Sequence, residues 1–277
     1  MPAVRQVAQK FGLLGGWSGT PDFLDAERSF GALLLAPDGA GGALGFGGTL
    51  RRGAVTHLGD LFVLPEHQSS GVGRALLTEL LPGDGPKVTF ASSDPRAVAL
   101  YVRHGLRPWT PLLYLTGPAT GLPTPSARPT QAEDVAARPT WAKDVEARPV
   151  RAEDVAALDA HASGGARSDT LAWYAGLPGV TMYATDGGYA AARLTGPDVV
   201  IGPAGGETSQ DCADAVLGAL AGTRARSARM AVPGTHPLVP ALLGAGWRIA
   251  DMDTLMADDA VLALIRPDRY VPHPDLG

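Results

Sequence analysis

The sequence is most informative at first through what it lacks. One cysteine, Cys212, stands in 277 residues. That excludes a disulfide framework and fits a reducing, cytoplasmic setting. No apolar run approaches the roughly 20 residues needed to span a bilayer, and no basic-then-apolar leader opens the chain. No membrane partner is therefore expected. There is no excess of base: Lys and Arg number 23 against 28 Asp and Glu, for a net charge of −5 and a pI near 5.6. A nucleic-acid partner is not expected on that balance. Neither Gly-x-Gly-x-x-Gly nor Gly-Lys-Ser/Thr occurs at the one glycine-rich turn between a strand and a helix, so dinucleotide and nucleoside-triphosphate loops do not fit there. No metal is expected. What is present is 45% hydrophobic residues, enough for one large core or two of ordinary size.

The chain is organised around residues 57–77. Residues 58–64 read as a strand, 68–73 as a tight loop, and Arg74 onward as a helix with Leu76, Leu77, Leu80 and Leu81 on one face. A strand entering a helix through a glycine loop leaves several main-chain N–H groups unpaired at the positive end of the helix dipole. Such a place binds anions, phosphate or diphosphate above all. Gly71 and Gly73 let the backbone approach a ligand with no Cβ in the way.

The spacing Leu61-x-Val63-x-Pro65-x-x-Gln68-x-x-Gly71-x-Gly73-x-x-Leu76-Leu77 resembles the acyl-CoA signature of the GNAT superfamily of N-acetyltransferases. A second stretch agrees with it. Asp94, Ala97, Leu100, Tyr101, Gly105 and Leu106 stand where that family typically reads Asn-x-x-Ala-x-x-Leu-Tyr-x-x-x-Gly-Phe. Asp94 also suits a helix N-cap, Pro95 the first helical position and Gly105 the C-terminal cap. Asp for Asn and Leu for Phe are departures from the pattern. The resemblance implies an α/β (α+β) fold, a mixed, mostly antiparallel twisted sheet flanked by helices. It also implies acetyl-CoA as acyl donor.

Along the first half, residues 4–14 read as an amphipathic helix and 12–27 as a loop. Residues 32–36 read as a strand, 43–49 and 55–63 as a hairpin, 87–92 as a strand and 111–115 as a closing strand. The strand reading roughly Ile-Arg-x-Ala-x-x-x-Asp that usually opens the family's fold is missing. Either the first domain lacks its edge strand or another segment supplies it.

Three copies of a ten-residue unit follow, at 127–136, 137–146 and 147–156, each carrying Ala-Arg-Pro and an Asp-Val pair. The third resembles the opening Arg-Pro-x-x-x-Glu-Asp of a GNAT domain and reads as the start of a second one. The earlier copies read as a proline-marked, semi-rigid linker. The division expected is therefore 1–118, an N-terminal catalytic GNAT domain; 119–146, a linker; and 147–277, a C-terminal GNAT-like domain. In the second half, helices are expected at 154–177 with a break near Ser163, at 209–221 and at 236–244. Strands are expected at 180–184, 189–194, 199–201 and 228–232. Setting Gly246-Trp247 on Gly105-Leu106 places Thr235 on Asp94 and Leu242 on Tyr101. No glycine loop follows residues 199–203, where the chain reads Ala204-Gly-Gly-Glu207, and Glu207 puts negative charge where a phosphate would sit. The second domain is expected to have lost its cofactor site.

By the resemblance, Leu61, Phe62 and Val63 grip the pantetheine arm through main-chain groups. Gln68, Ser69, Ser70, Gly71, Val72, Gly73 and Arg74 hold the diphosphate, and Asp94 stands at a further cofactor position. Acetyl transfer needs a polarised carbonyl, a neutral amine and a protonated leaving thiolate. Tyr101 is the expected general acid. The resembling family often places Glu or His eleven residues before the signature Gln, and that resemblance makes His57 the first choice for general base, with an ordinary pKa near 6.5. Asp60 on the same strand is the alternative, because burial can raise a carboxyl pKa. Residues 12–30, with Trp17, Asp22, Phe23, Asp25 and Glu27, are expected to bind a cationic acceptor. The acceptor expected is a primary amine of a small molecule, with a protein lysine or N-terminus as the alternative. An acyl-CoA sensor without turnover and a homodimer are further possibilities.

Overall fold

The structure, a computed structural model, describes residues 1–17, 19–122 and 147–277. The copies at 127–136 and 137–146, with the linker reading of 123–146, lie outside the described residues. The chain forms two compact units. One comprises Met1–Trp109, Leu255–Ala263 and Asp275–Gly277; the other comprises Thr110–Thr254 and Leu264–Pro274. These units cut the chain at different residues from the boundaries read above. The reason is strand pairing: residues 112–118 hydrogen-bond in register to residues 227–233, so they belong with the second unit.

In the first unit, helix α1 (Pro2–Lys10) buries Val4, Val7 and Ala8. The stretch expected to be a loop contains helix α2 (Phe23–Phe30), because Asp22 and Asp25 form a capping box. Strands β1 (Gly31–Pro37), β2 (Ala43–Arg52) and β3 (Val55–Val63) make an antiparallel meander, with β1 outermost. Helix α3 (Val72–Leu80) follows. Strand β4 (Lys87–Ala91) then pairs parallel with β3, and helix α4 (Pro95–Arg103) comes next. No strand precedes α1, and β1 carries no partner on its outer side among the described residues. The core lies between the sheet, α3 and α4. Leu58, Leu76, Leu77, Leu80, Ala91, Tyr101, Leu106 and Met256 form one buried cluster there. Each fully buried leucine contributes about 1.5–3 kcal/mol.

In the second unit, most of strand β5 (Arg107–Pro118) is followed by β6 (Arg148–Val150), α5 (Ala152–Ser163) and α6 (Ser168–Ala175). The break between α5 and α6 falls at Gly164, at φ 92°. Strands β7 (Val180–Ala184), β8 (Gly188–Thr195) and β9 (Asp198–Gly206) form a second antiparallel meander. Helix α7 (Ser209–Gly222), strand β10 (Ser227–Pro233) and helix α8 (Leu238–Gly244) complete the repeat of the first half. The strand order β5-β10-β9-β8-β7-β6 places β9 beside β10 in parallel. Cys212 is buried in α7, where burial pushes its thiol pKa up.

Besides α2, three elements were not expected from the sequence: strand β11 (Arg248–Ala257), helix α9 (Asp259–Leu262) and the two-residue strand β12 (Tyr270–Val271). Strand β9 also runs from Asp198 to Gly206, well past the expected strand at 199–201. Thr235 does not cap α8. Its first turn is capped by His236, whose Nδ1 accepts from the Leu238 N–H. The internal match itself holds at the helix ends. Gly105 and Gly246 both lie at φ 86°, and the N–H groups after them reach the Tyr101 and Leu242 carbonyls at 3.1 and 3.0 Å.

Candidate active site

Strands β3 and β4 stay paired only at Thr56↔Lys87, His57↔Val88 and Leu58↔Thr89, where the Thr89 hydroxyl also donates to the Leu58 carbonyl. Beyond that point β3 continues to Val63 with no register partner on its β4 side among the described residues. The divergence starts at a β-bulge. On β2, Gly48 pairs with Asp60 and Thr49 with Leu58, leaving Gly59 as the extra residue.

The bulge reverses the alternation of side chains along β3. Leu58, Leu61 and Val63 face the core and the cleft beside α4. His57, Asp60 and Phe62 lie on the other face, Phe62 stacked on Phe46 and tilted against Phe11 of the α1 end. Simple period-two counting from His57 puts Asp60 on the opposite side, so the sequence alone misplaces it.

After Val63 the chain passes through a short 3-10 turn, Pro65–His67, into the loop. The Gln68 side chain ties it down by donating to the Val63 carbonyl at 3.1 Å, and the Ser70 hydroxyl donates to the His67 carbonyl. Ser69 stands at φ 63°, the one non-glycine residue with positive φ among the described residues. Such a conformation costs on the order of 1–3 kcal/mol and collects at functional sites. Gly71 caps α3 at φ 95°, and among the described residues no side-chain hydrogen bond caps that helix. Its first-turn N–H groups therefore point toward the loop uncovered, which is the fit a diphosphate requires.

The resulting cleft has a volume of about 230 Å³. Of the residues expected to hold a cofactor, Leu61, Val63, Gln68, Ser69, Gly71, Gly73, Arg74 and Asp94 line it. Phe62, Ser70 and Val72 do not; Phe62 turns its ring to the other face and offers this side only its main chain. Tyr101, only 6% exposed, lines the cleft beside Leu100. Sequence reading missed Arg96 and Arg103, which line its α4 side. They are one residue type at i and i+7 on a helix, a spacing that identifies a shared face. Arg96 grips Asp94 with two nitrogens, at 3.1 and 2.7 Å, while Asp94 also accepts the Arg96 N–H as helix cap. The Arg96 guanidinium beside it holds the Asp94 carboxyl below its usual range.

His57 and Asp60 do not line this cleft. His57 is 2% exposed, set edge-on against Phe90 at 4.7 Å between ring centroids. Gly277 packs close enough that a Cβ there would stand 2.7 Å from His57 Nε2 and 2.2 Å from Arg52 Nη2. Asp60 meets Glu27 of α2 carboxyl to carboxyl, with Asp275 nearby. Burial raises Asp60 to a pKa of about 7; the charge of Asp275 adds to the rise, and the hydrogen bond from Glu27 works against it. Glu27 is 0% exposed, and burial with the charge of Asp60 raises it well above the usual carboxyl range. Among the described residues no amide, hydroxyl or cationic donor reaches either Glu27 oxygen, so the pair holds together by one carboxyl keeping its proton. Room for it comes from two glycines. A Cβ on Gly48 would stand 1.8 Å from Glu27 Oε2, and one on Gly59 2.6 Å from Oε1.

The other acceptor-side residues have structural partners. Asp22 accepts the Leu24 N–H and pairs with Arg5; Asp25 accepts the Asp22 N–H and pairs with Arg5 at 2.8 Å. Trp17 donates its indole N–H to Asp275 at 2.9 Å and packs against buried Phe23.

The second unit repeats the divergence and then fills it. Strand β10 pairs with β9 only along Asp198–Ile201, and the register of β9 on β8 shifts between Ala190 and Ala192. Past that point β12 takes the open side: Tyr270 pairs with Gly205 and Val271 with Ala204. The Gly206 N–H reaches the Arg269 carbonyl at 3.0 Å. Tyr270 is anchored by Arg167, which donates to its hydroxyl at 2.8 Å and to buried Asp159 at 2.8 and 3.0 Å. The main-chain groups that would grip a pantetheine arm are thus used by the chain itself.

Among the described residues no helix is long and apolar enough to cross a membrane. Comparison with known proteins bears on the fold and on residues 30–107. Residues 30–107 match the family model for the acetyltransferase (GNAT) domain. No curated protein matches the sequence. A crystal structure from Pyrococcus horikoshii, provisionally assigned as an acetyltransferase, superposes with a TM-score of 0.66 at 16% identity, covering 92% of this chain and 82% of that one. A GCN5-related N-acetyltransferase from Kribbella flavida gives 0.55 at 16% identity, over 92% and 67% of the two chains. A tandem GNAT protein of the clavulanic acid biosynthesis pathway gives 0.50 at 15% identity, over 92% and 95%. Residues 30–107 thus match the GNAT acetyltransferase domain model, within a fold shared by GCN5-related N-acetyltransferases, a tandem GNAT protein among them.

Proposed function

We propose that the protein is an acetyl-CoA-dependent N-acetyltransferase that moves an acetyl group directly to a primary amine of a small molecule. The observation that carries this reading is the open edge of β3 from Gly59 to Val63 leading into an α3 terminus that no side chain caps. The main-chain N–H groups from Ser69 to Arg74 bind the diphosphate. The free main-chain groups of Leu61, Phe62 and Val63 hold the pantetheine arm and acetyl carbonyl. The donor supplies an activated thioester; the protein orients it and moves protons. Tyr101, lining the cleft beside β3, protonates the leaving sulfur.

The base role falls to Asp60 rather than to His57. Its pKa near 7 lets it take a proton from an ammonium at neutral pH, and Glu27 holds its carboxyl in place. Asp22 and Asp25 serve the α2 cap and Arg5, so the acceptor amine is attracted by the Asp60–Glu27–Asp275 group instead. The absence of a reactive cysteine in residues 1–109 favours direct transfer over a covalent enzyme intermediate.

The test is a panel of small-molecule amines and lysine peptides with acetyl-CoA, read by release of free thiol. Turnover on a small amine, lowered about 10- to 100-fold by Tyr101→Phe, supports the reading. Tight acetyl-CoA binding with no turnover on any acceptor replaces it with a sensor.

A further inference from the structure

We propose that Arg96 is a positioning residue that cancels the charge of Asp94 at the mouth of the donor cleft, so that the mouth accepts the donor's phosphates. The inference rests on the acyl-CoA reading of that cleft. It starts from an incongruity. Among the described residues the start of α3 carries no side-chain cap and offers its N–H groups to an anion, yet a carboxylate, Asp94, lines the same cleft. A carboxylate near a bound diphosphate repels it.

Three features of the geometry answer the incongruity. Arg96 lies two residues on, in the first turn of α4, and closes on Asp94 with two side-chain nitrogens at 3.1 and 2.7 Å. The same carboxylate accepts the Arg96 main-chain N–H at 2.9 Å, so its position is fixed from both sides. Arg96 itself lines the cleft, with Arg74 from α3 and Arg103 from one helical face further along α4. With Asp94 neutralised, the mouth keeps the positive charge of Arg74 and Arg103. Without Arg96, the carboxylate is exposed to the ligand and a cation is lost at the same point. A paired guanidinium still presents outward N–H donors, which suits recognition of phosphate.

The experiment is a double-mutant cycle read as the KM and Kd for acetyl-CoA in the full-length protein. Asparagine is as good an N-cap as aspartate, so Asp94→Asn keeps α4 intact. Arg96→Ala is expected to raise KM about tenfold with the effect on KM rather than kcat. Asp94→Asn alone is expected to bind at least as tightly as wild type. Asp94→Asn with Arg96→Ala is expected to recover most of the loss, to within about threefold of wild type. A merely structural role for Arg96 predicts no such rescue. Wild-type affinity in Arg96→Ala, or a double variant as weak as Arg96→Ala, overturns the proposal. Absence of acetyl-CoA binding by the wild type, measured by calorimetry, overturns instead the donor reading on which it rests. Thermal melts identify any variant that fails to fold, and the comparison of Asp94→Asn with wild type then still decides: weaker binding by Asp94→Asn contradicts the proposal.

Discussion

Glu27 of α2 and Asp60 of β3 meet carboxyl to carboxyl in the first unit, in a space that exists because residues 48 and 59 are glycines. Two buried carboxylates cannot both stay ionised at close range, so the pair retains a proton into the neutral range. The groups that bear on it are Asp22, at the start of α2, and Asp275, both acidic and both raising Glu27.

One consequence is kinetic. On the amine acceptor, kcat/KM should fall on the acid side with an apparent pKa near 7, the value of Asp60. Asp60→Asn should remove that limb and lower kcat by roughly 10²–10³-fold, within the range expected for a general base. A pH–rate profile of both proteins checks this. A limb that persists in Asp60→Asn and disappears in His57→Ala returns the base role to His57.

A second consequence is thermodynamic. Asp60 binds its proton more tightly in the folded state than in the unfolded one. Its contribution to stability is therefore fully present below the ordinary carboxyl pKa and lost as pH rises toward 7 and beyond. Asp60→Asn, neutral at every pH, should gain Tm relative to wild type progressively between pH 5 and pH 8. Using the difference between the two proteins cancels the buried histidines. His236 and His273 have depressed pKa values, and they act oppositely, favouring the unfolded state as pH falls below about 6.5. Thermal melts across that range decide the point; a constant difference contradicts it.

A third concerns the glycine cradle. Gly48→Ala should push on the Glu27 carboxyl and destabilise the protein by about 1–3 kcal/mol, the usual range for overpacking. Combining it with Glu27→Ala should return much of that loss, because the obstructing group is gone. Chemical denaturation of the four proteins in the cycle gives the coupling; strict additivity argues against the cradle.

The sequence read some of these relationships well and others not at all, for identifiable reasons. Local signals carried the donor loop. Gly71 sits at positive φ as its turn requires, Gln68 braces the loop, and Asp94 and Gly105 bound α4. Helix α2 is hidden because residues 12–27 are rich in glycine and polar residues, the composition of a loop. The capping box between Asp22 and Asp25 uses those same residues. The bulge at Gly59 was invisible, since one extra residue changes no composition but turns Asp60 to the other face. Glu27 and Asp60 are far apart in sequence, and no periodicity links them. Strand β12, two residues long, is too short to carry a pattern, yet it takes the edge of β9 that β10 leaves.

That strand leads to a fourth prediction. With β12 paired to Ala204 and Gly205 and held by the buried Arg167–Asp159 ion pair, the edge of β9 that β10 leaves is already taken at those residues. Calorimetric titration of the full chain should give one acetyl-CoA per chain. A stoichiometry of two contradicts the filled slot.

The central claim is that main-chain amides between Ser69 and Arg74 receive a diphosphate while β3 presents its free edge to the thioester. The most direct measurement is a crystal structure with acetyl-CoA at saturating concentration. Phosphate oxygens are expected within hydrogen-bond distance of those amides, the pantetheine arm alongside Leu61 to Val63, and the sulfur near the Tyr101 hydroxyl. Donor bound elsewhere on the chain, or a loop left empty at saturation, contradicts it.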